Sequence, residues 1–549
     1  MLSPVLMTLS VSSLALPSTG ATTSAPLPRL RDLELVTSKD NETAVPPPVP
    51  TDTLRGLTVL GYQGWFATPN DDDNNGWVHW GPLENGTGIM EDYWPELIEY
   101  GVDERHDAPG YFFPNGTQAQ LFSSDNKATV SRHFQWMEQY GIDGVAIQRF
   151  GVEVSSIRHK RVLNYSLAAA AVTGRILYVE YDLSGMKEAD IIPTISKDWA
   201  ALVAQGVTKH PRYLHHGGHP VVGVFGFYMS RFSASTAAGI LDIFAITGSS
   251  TTANTIEAGA NPLGAFVAGS GQWFWWKANP SPAWSAVFYR MGSWSPWNMG
   301  NWFGGMADPH ATTSYWRADA QNFTDHGVIW SPEIYPGCST AHRDHKPPGG
   351  KGARIPRMKG AFLWEQFALA TRMKVQTVFL GMFDELDEGT QILKVTNSPP
   401  TQATGDIGYE GMPSDVYLCF AGHGTAMVRG DIPYSATKPD CVGKTQPTIP
   451  TAVAGSTFDG RISDSTVLRV EWEPALALEG GGEIDHYEIL VDRVIRRTQS
   501  ASTTAIHVVV IADDVGARSG NATGSWRVRA VNTLGNVGGW SFRQELSSV

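Results

Sequence analysis

The fold this sequence predicts is α/β: a (β/α)8 TIM barrel followed by a small all-β sandwich. Three observations carry that expectation. Between residues 55 and 442, short apolar runs rich in β-formers alternate with longer segments at helical spacing. Eight such runs can be counted, the number a (β/α)8 barrel needs. Beyond a Pro/Thr/Gly-rich stretch, Gly443 to Gly455, the pattern changes to short alternating strands with turn-rich links.

In chain order, residues 1–25 are apolar and then small and Ser/Thr-rich, and read as a signal peptide although no Lys or Arg precedes the apolar part. Residues 26–54, with PLPRL and PPPVP, read as a linker. The β-like runs are Leu57–Gly61, Asp143–Gln148, Arg175–Tyr181, Pro220–Phe225, Ala265–Ala268, Ala286–Met291, Gly327–Ser331 and Thr377–Met382. Amphipathic helical segments such as Ala128–Tyr140, Ile157–Thr173 and Gly360–Met373 lie between them. A doubly wound open sheet is the alternative, but no Gly-rich phosphate turn follows the first run. The runs Val467–Trp472, His486–Asp492, Ala505–Ile511 and Ser525–Asn532 predict the β-sandwich, over residues 447–549.

Composition narrows the function. A length of 549 residues calls for two or more domains, and 42% hydrophobic with 17% charged residues is a globular composition. A net charge of −13 weighs against nucleic acid or an anionic membrane surface as partner. No apolar run after the N-terminus reaches the ~18 residues of a membrane span. Six N-x-S/T sequons, at Asn41, Asn85, Asn115, Asn164, Asn322 and Asn521, join the leader in predicting a secreted, extracellular glycoprotein. Of three cysteines, Cys419 and Cys441 can pair across a short loop and Cys338 is left over. A monomer without cofactor or metal is expected.

The chemistry concentrates in Thr377–Gln391, TVFLGMFDELDEGTQ, where a buried-strand pattern runs directly into Asp384, Glu385, Asp387 and Glu388. Buried carboxylates are costly unless paired, and like charges raise one another's pKa. Two carboxyl groups of different pKa are the equipment for cleaving a glycosidic bond. A solvated acidic turn or a calcium loop is the bland alternative. The other positions after the runs supply aromatic rings and few acids: Tyr62, Gln63 and Trp65; Arg149; Asp182; Phe227; Gln272 and Trp273; Trp294 and Trp297; Glu333 and Tyr335. Such a rim suits a polysaccharide or glycan. Asp182, Glu333 and Tyr335 are candidate substrate or pKa-tuning groups, and Tyr62, Trp65, Trp80 and Trp297 candidate contacts or stacking platforms. The segment Gly292–Asn298 is turn-like and too polar for full burial.

Competing motifs are weaker. Asp71–Gly76 imitates a calcium loop, but its twelfth position is Pro82 where Glu is needed. His210, His215, His216 and His219 lack zinc-site spacing and precede the fourth run, on the non-catalytic side of a barrel, so they read as a surface loop. No G-x-S-x-G occurs.

The stretch Phe383–Gln391 resembles the N-E-W-x-E-G-T-Q motif of the family 99 glycoside hydrolases, endo-α-1,2-mannosidases and mannanases with a (β/α)8 barrel. Asp384 stands where that family has Asn, and Leu386 where it has Trp. The segments GYQGWF, GIDGVAIQRF and YDLSG are similar to those of secreted family 99-like proteins. The resemblance implies a retaining, metal-independent mechanism: Glu385 as base on the sugar 2-hydroxyl, giving a 1,2-anhydro intermediate, and Glu388 as general acid and then base. The C-terminal pattern, Trp472, Tyr487 and the Val531–Ser541 stretch, resembles a fibronectin type III module. A non-catalytic carbohydrate-binding or cell-surface protein on the same scaffold is the competing class. A free cleft faced by both glutamates favours the enzyme, and a glutamate tied into a buried ion pair favours the binder.

Overall fold

The computed structural model describes residues 47–71, 74, 76–246, 261–272, 281–345, 354–403, 407–442 and 445–452, then 457–462, 465–478, 482–491, 494–497, 505–510, 523–534, 536–541 and 544–547. The expected signal peptide, most of the linker, Asp72, Asp73 and Asn75 of the calcium-like loop, and Trp273 lie outside these residues.

The main sheet is parallel and curls back on itself. Its strands are β1 (Thr58–Tyr62), β2 (Gly144–Phe150), β3 (Ile176–Asp182), β4 (His219–Phe225), β5 (Phe266–Gln272), β6 (Ser293–Trp297), β7 (Ile329–Trp330 and Glu333–Ile334) and β8 (Val378–Leu380). Each pairs with its neighbours in sequence, and β1 pairs with β8. The first half of β7 pairs with β6 and its second half with β8. The change of partner falls at Ser331-Pro332, where proline has no N–H for a continuous ladder. The sheet's two ends thus meet in one stretch of chain. Strands covered on both faces read as unbroken apolar runs, which is why β1 and β3, buried at every position, were legible.

Helices cover the outside: α1 (Lys127–Gln139), α2 (Ile157–Thr173), α3 (Glu188–Ala204), α4 (Ala234–Ile243), α5 (Pro282–Phe288), α6 (Trp316–Asp325), α7 (Ala361–Met373) and α8 (Val416–Arg429). Asn126 caps α1 by accepting from the Ala128 and Thr129 N–H groups.

The sixth expected run is corrected. Ala286–Met291 overlaps the end of α5, which Ser281 caps, Pro282 opens, and whose buried Trp284, Val287 and Phe288 recur at helical spacing. The strand itself is Ser293–Trp297, so Gly292–Asn298 is not a turn, and Trp294 is 1% exposed. The histidine segment is a hairpin rather than a loop: His215 and His216 pair with Pro220 and His219 on the side that feeds β4, and His216 Nδ1 accepts from the Leu54 N–H.

Cys419 in α8 is bonded to Cys441, and Cys338 is free. The C-terminal strands form two antiparallel sheets, one of Thr451–Ala452, Thr457–Ile462, Ser465–Glu473 and Ala505–Val510, the other of Ile484–Val491, Val494–Arg497, Thr523–Asn532 and Gln544–Ser547. Buried Val470 and Trp472 of the first share a cluster with Tyr487, Ile489, Trp526 and Val528 of the second. Arg527 ties this segment to α1 through two hydrogen bonds to Glu138, at 2.8 and 3.1 Å. Among the described residues no helix is long and apolar enough to cross a membrane.

Candidate active site

The acidic stretch leaves β8 and folds into one 3-10 turn, Leu386–Glu388, with Glu385 at its N-cap. Glu385 and Glu388 thus stand at the two ends of one short turn, close enough for the Glu388 charge to act on Glu385. Gly389 ends the turn at φ +64°, where an added Cβ would lie 2.5 Å from the Ser339 nitrogen.

The four carboxylates divide by partner. Asp384 accepts the N–H groups of Gln63 and Gly64, at 2.7 and 2.8 Å, and burial pushes its carboxyl up to about 7 against those bonds. Asp387 holds His79 Nδ1 at 3.0 Å. Glu385 is buried and accepts from Gln63 Nε2 at 2.9 Å and Thr390 Oγ1 at 2.7 Å. Burial, then the charges of Glu388 and Asp387, raise it well above the usual carboxylate range. Glu388 is more open, its side chain 36% exposed, and it accepts from Arg343 Nη1 at 2.6 Å. Burial also raises Glu388, with Arg343 pulling the other way.

Other carboxylates come from neighbouring strand ends. Glu333, on β7, takes the N–H groups of Asn298 and Met299 on Oε2, while its buried Oε1 has no hydrogen-bond partner. Burial pushes Glu333 up to about 8, with Glu388 and Glu180 adding to the rise. Burial, with Asp182, does the same for Glu180, also to about 8. Asp182 ends β3 and accepts from Gln148 Nε2 at 2.8 Å and the Ser184 N–H at 2.6 Å.

The proposed rings sort differently from expectation. Trp80 is fully buried with its Nε1 on the Phe122 carbonyl, and Tyr62 is fully buried with its hydroxyl bonded to His133 of α1. Tyr335 packs on Phe362 and donates to the Asn301 carbonyl. These three are core groups, and none is open to a substrate. Trp65 is half-buried and flanked by stacked rings, His79 at 3.7 Å and 7°, and Phe150 at 5.3 Å and 22°. Trp297 is half-buried, edge-on to Phe225 at 4.6 Å. The structure brings Glu385, Glu388, Glu333 and Asp182 to the C-terminal ends of β8, β7 and β3, the face on which barrels carry their sites.

Sequence reasoning missed Arg343, His79 and Asp92. Asp92 anchors the segment that carries Arg343: it accepts from the Ser339 hydroxyl and from the Ala341 and His342 N–H groups, the latter two at 2.7 and 2.9 Å. Burial alone would push its carboxyl up, but the bonds from His342 and Ser339 outweigh burial and hold it below the usual range. Nothing in the local pattern marks Arg343, since its partner Glu388 lies 45 positions away.

Among the described residues, the group placed to hold a metal is Cys419, His423 and Cys441, and its two sulfurs are joined to each other.

No family model matches the chain, and no curated protein matches it in sequence. Solved structures do match in fold. The family 99 endo-α-mannosidase of Bacteroides thetaiotaomicron superposes with a TM-score of 0.52 at 16% identity, covering 69% of this chain and 99% of that one. The same enzyme in complex with bis-tris propane gives 0.50, with the same identity and coverage. At this identity the likeness is one of fold alone, an α/β barrel.

Proposed function

We propose that this chain is a secreted glycoside hydrolase acting on a polysaccharide or glycan, with an α-mannoside as the first substrate to try. One observation carries the reading. Glu385 caps and Glu388 ends one 3-10 turn after β8, both are raised, and Glu388 faces the Arg343 guanidinium. Environments that set two carboxyl groups apart assign acid and base roles.

In the reaction, Glu388 donates its proton to the glycosidic oxygen and the C1–O bond breaks. Glu385 takes the proton of the 2-hydroxyl, and O2 closes on C1 to give the 1,2-anhydro sugar. Glu388 then removes a proton from water, which opens the ring at C1, and Glu385 returns its proton to O2. Configuration is retained and no metal takes part. In the free site Arg343 pulls Glu388 toward its anionic form against the rise from burial, and a leaving oxygen in place of the guanidinium would remove that pull. Asp182 and Glu333 border the same face, and Trp297 and the Trp65–His79 stack are its aromatic walls. The C-terminal segment is a fibronectin type III-like spacer.

The Arg343–Glu388 pair also favours a second reading, a carbohydrate-binding protein with a silenced acid. Hydrolysis of α-mannan and a panel of plant and fungal glycans, comparing wild type with Glu388→Gln, separates the two. Activity that this change abolishes supports the enzyme. Activity that survives it overturns the site, and glycan binding without turnover supports the binder.

A further inference from the structure

Four of the six sequons lie among the described residues, and they fall into two kinds. Asn85-Gly86-Thr87 and Asn115-Gly116-Thr117 are tips of tight turns in the long connection between β1 and α1. The Glu84 N–H on the Thr87 carbonyl and the Thr87 N–H on the Glu84 carbonyl, at 3.0 and 2.9 Å, close the first. The Phe113 N–H on the Thr117 carbonyl and the Gly116 N–H on the Phe113 carbonyl, at 2.9 and 2.8 Å, close the second. The middle glycines sit at φ +80° and +82°, which a side chain resists. Both asparagines are exposed. Asn115 Oδ1 accepts from both the Thr117 N–H, at 3.0 Å, and the Thr117 hydroxyl, at 2.7 Å. That leaves Nδ2 as the outward atom.

The other two are in helices. Asn164 lies within α2, and its Ser166 hydroxyl is fully buried and donates to the Val162 carbonyl at 2.8 Å. Asn322 lies within α6, half-buried, with Nδ2 3.3 Å from the Tyr289 hydroxyl. In both, the hydroxyl-bearing residue and the asparagine are held in helical backbone rather than in a turn an enzyme can grip.

We propose that Asn85 and Asn115 carry N-linked glycans and that Asn164 and Asn322 do not. The inference rests on the export reading above. In the transfer, Nδ2 attacks C1 of a sugar carried on a polyprenyl diphosphate. A C1–N bond forms, the C1–O bond to the diphosphate breaks, and the amide proton leaves with the diphosphate. Asn115 also borders a depression of about 460 Å³ lined by Pro95, Leu97, Phe113, Pro114, Gln120 and Thr396. Apolar rings beside polar edges suit the face of a sugar, so the innermost sugars on Asn115 lie over this depression, while those on Asn85 stand free.

The test expresses the full chain in a eukaryotic secretory host and removes glycans with an amidase in heavy-oxygen water, which marks each formerly glycosylated Asn as labelled Asp. Label at 85 and 115, with none at 164 and 322, is the expected result. Asn115→Gln and Thr117→Ala should each remove one glycan, the second without touching the asparagine. Under native conditions an endoglycosidase should trim Asn85 faster than Asn115, and denaturation should equalise them; equal trimming of the native protein overturns the covered depression. Secretion with a bare Asn115, or label at Asn164 or Asn322, overturns the assignment alone. A chain kept inside the cell without any glycan overturns the export reading with it.

Discussion

Asp384, just past the end of β8, accepts the backbone N–H of Gln63, just past the end of β1, at 2.7 Å, and its second oxygen takes Gly64 at 2.8 Å. The first and last strands of the sheet are thereby joined where the candidate site lies. Gln63 returns the bond through its side chain, to Glu385 at 2.9 Å. Two of the four acids in this stretch are therefore structural, Asp384 holding backbone and Asp387 holding His79, and two are left for chemistry.

Removing the Asp384 carboxylate leaves two buried N–H groups without partners. At about 1–3 kcal/mol for each orphaned donor, Asp384→Ala should cost about 2–6 kcal/mol. Urea unfolding followed by tryptophan fluorescence measures it. A loss under about 0.5 kcal/mol, the range of an ordinary surface change, would mean the clamp holds nothing that the rest of the sheet does not.

Much of this arrangement was legible in the chain, and the exceptions have physical causes. Seven of the eight strand positions follow from apolar runs, because a parallel strand covered on both faces has no polar side to break the pattern. The sixth failed because Ser293-Trp294-Ser295-Pro296-Trp297 is polar at positions where the inside of the sheet is itself polar, near Ser270, Ser331 and Glu180. The acidic turn stood out because four carboxylates after a buried strand have no inexpensive local explanation. Tyr62 and Tyr335 misled because an aromatic near a strand end can face a covering helix as easily as the cleft, and Trp80 because the connection after β1 packs its own rings, Phe66 and Phe122, around it. Arg343 and Asp92 were invisible because long-range partners leave no periodicity.

His79 lies in the connection after β1, is fixed by Asp387 and stacks on Trp65. If that stack is a wall of the substrate cleft, His79→Ala should raise KM and leave kcat nearly unchanged. An aromatic pair of about 0.5–1.5 kcal/mol corresponds to about a two- to tenfold rise. Steady-state kinetics on a cleaved glycan decides. A fall in kcat at constant KM would instead tie His79 to the carboxyl pair, through the Asp387 charge that acts on both glutamates.

Stability should fall as pH rises through the neutral range. Glu180 and Glu333 are pushed from 4.5 to about 8, and Asp384 and Asp143 from 3.8 to about 7 and about 6, in each case chiefly by burial. A carboxyl whose folded pKa is raised binds more protons in the folded state. Its contribution is fully present below the unfolded pKa and is lost as pH climbs through the folded one. Asp92 and Glu99 are lowered and act oppositely, losing their contribution on acidification. The melting temperature should therefore peak in acid solution, near the unfolded carboxyl pKa values, and drop as pH rises from about 4.5 to about 8. Glu333→Gln and Glu180→Gln, which keep a neutral group in place, should flatten that drop, and an unchanged slope in both would show that these carboxyls are ionised when buried.

The pair that most directly tests the proposed chemistry is Arg343 with Glu388, 2.6 Å apart and both partly open to solvent. Arg343 lowers the Glu388 carboxyl against the rise from burial. A general acid is needed protonated, so activity is lost as pH rises past its pKa. Arg343→Gln removes the lowering charge, and the alkaline limb of the kcat/KM profile should move to higher pH. Because the pair is partly exposed, salt screens it, and raising ionic strength should shift the wild-type limb the same way while leaving Arg343→Gln nearly unmoved. A limb that stays in place in the variant would show that Glu388 is not the titrating acid. A variant that gains turnover where wild type has none would identify Arg343 as the silencing group of a dormant site.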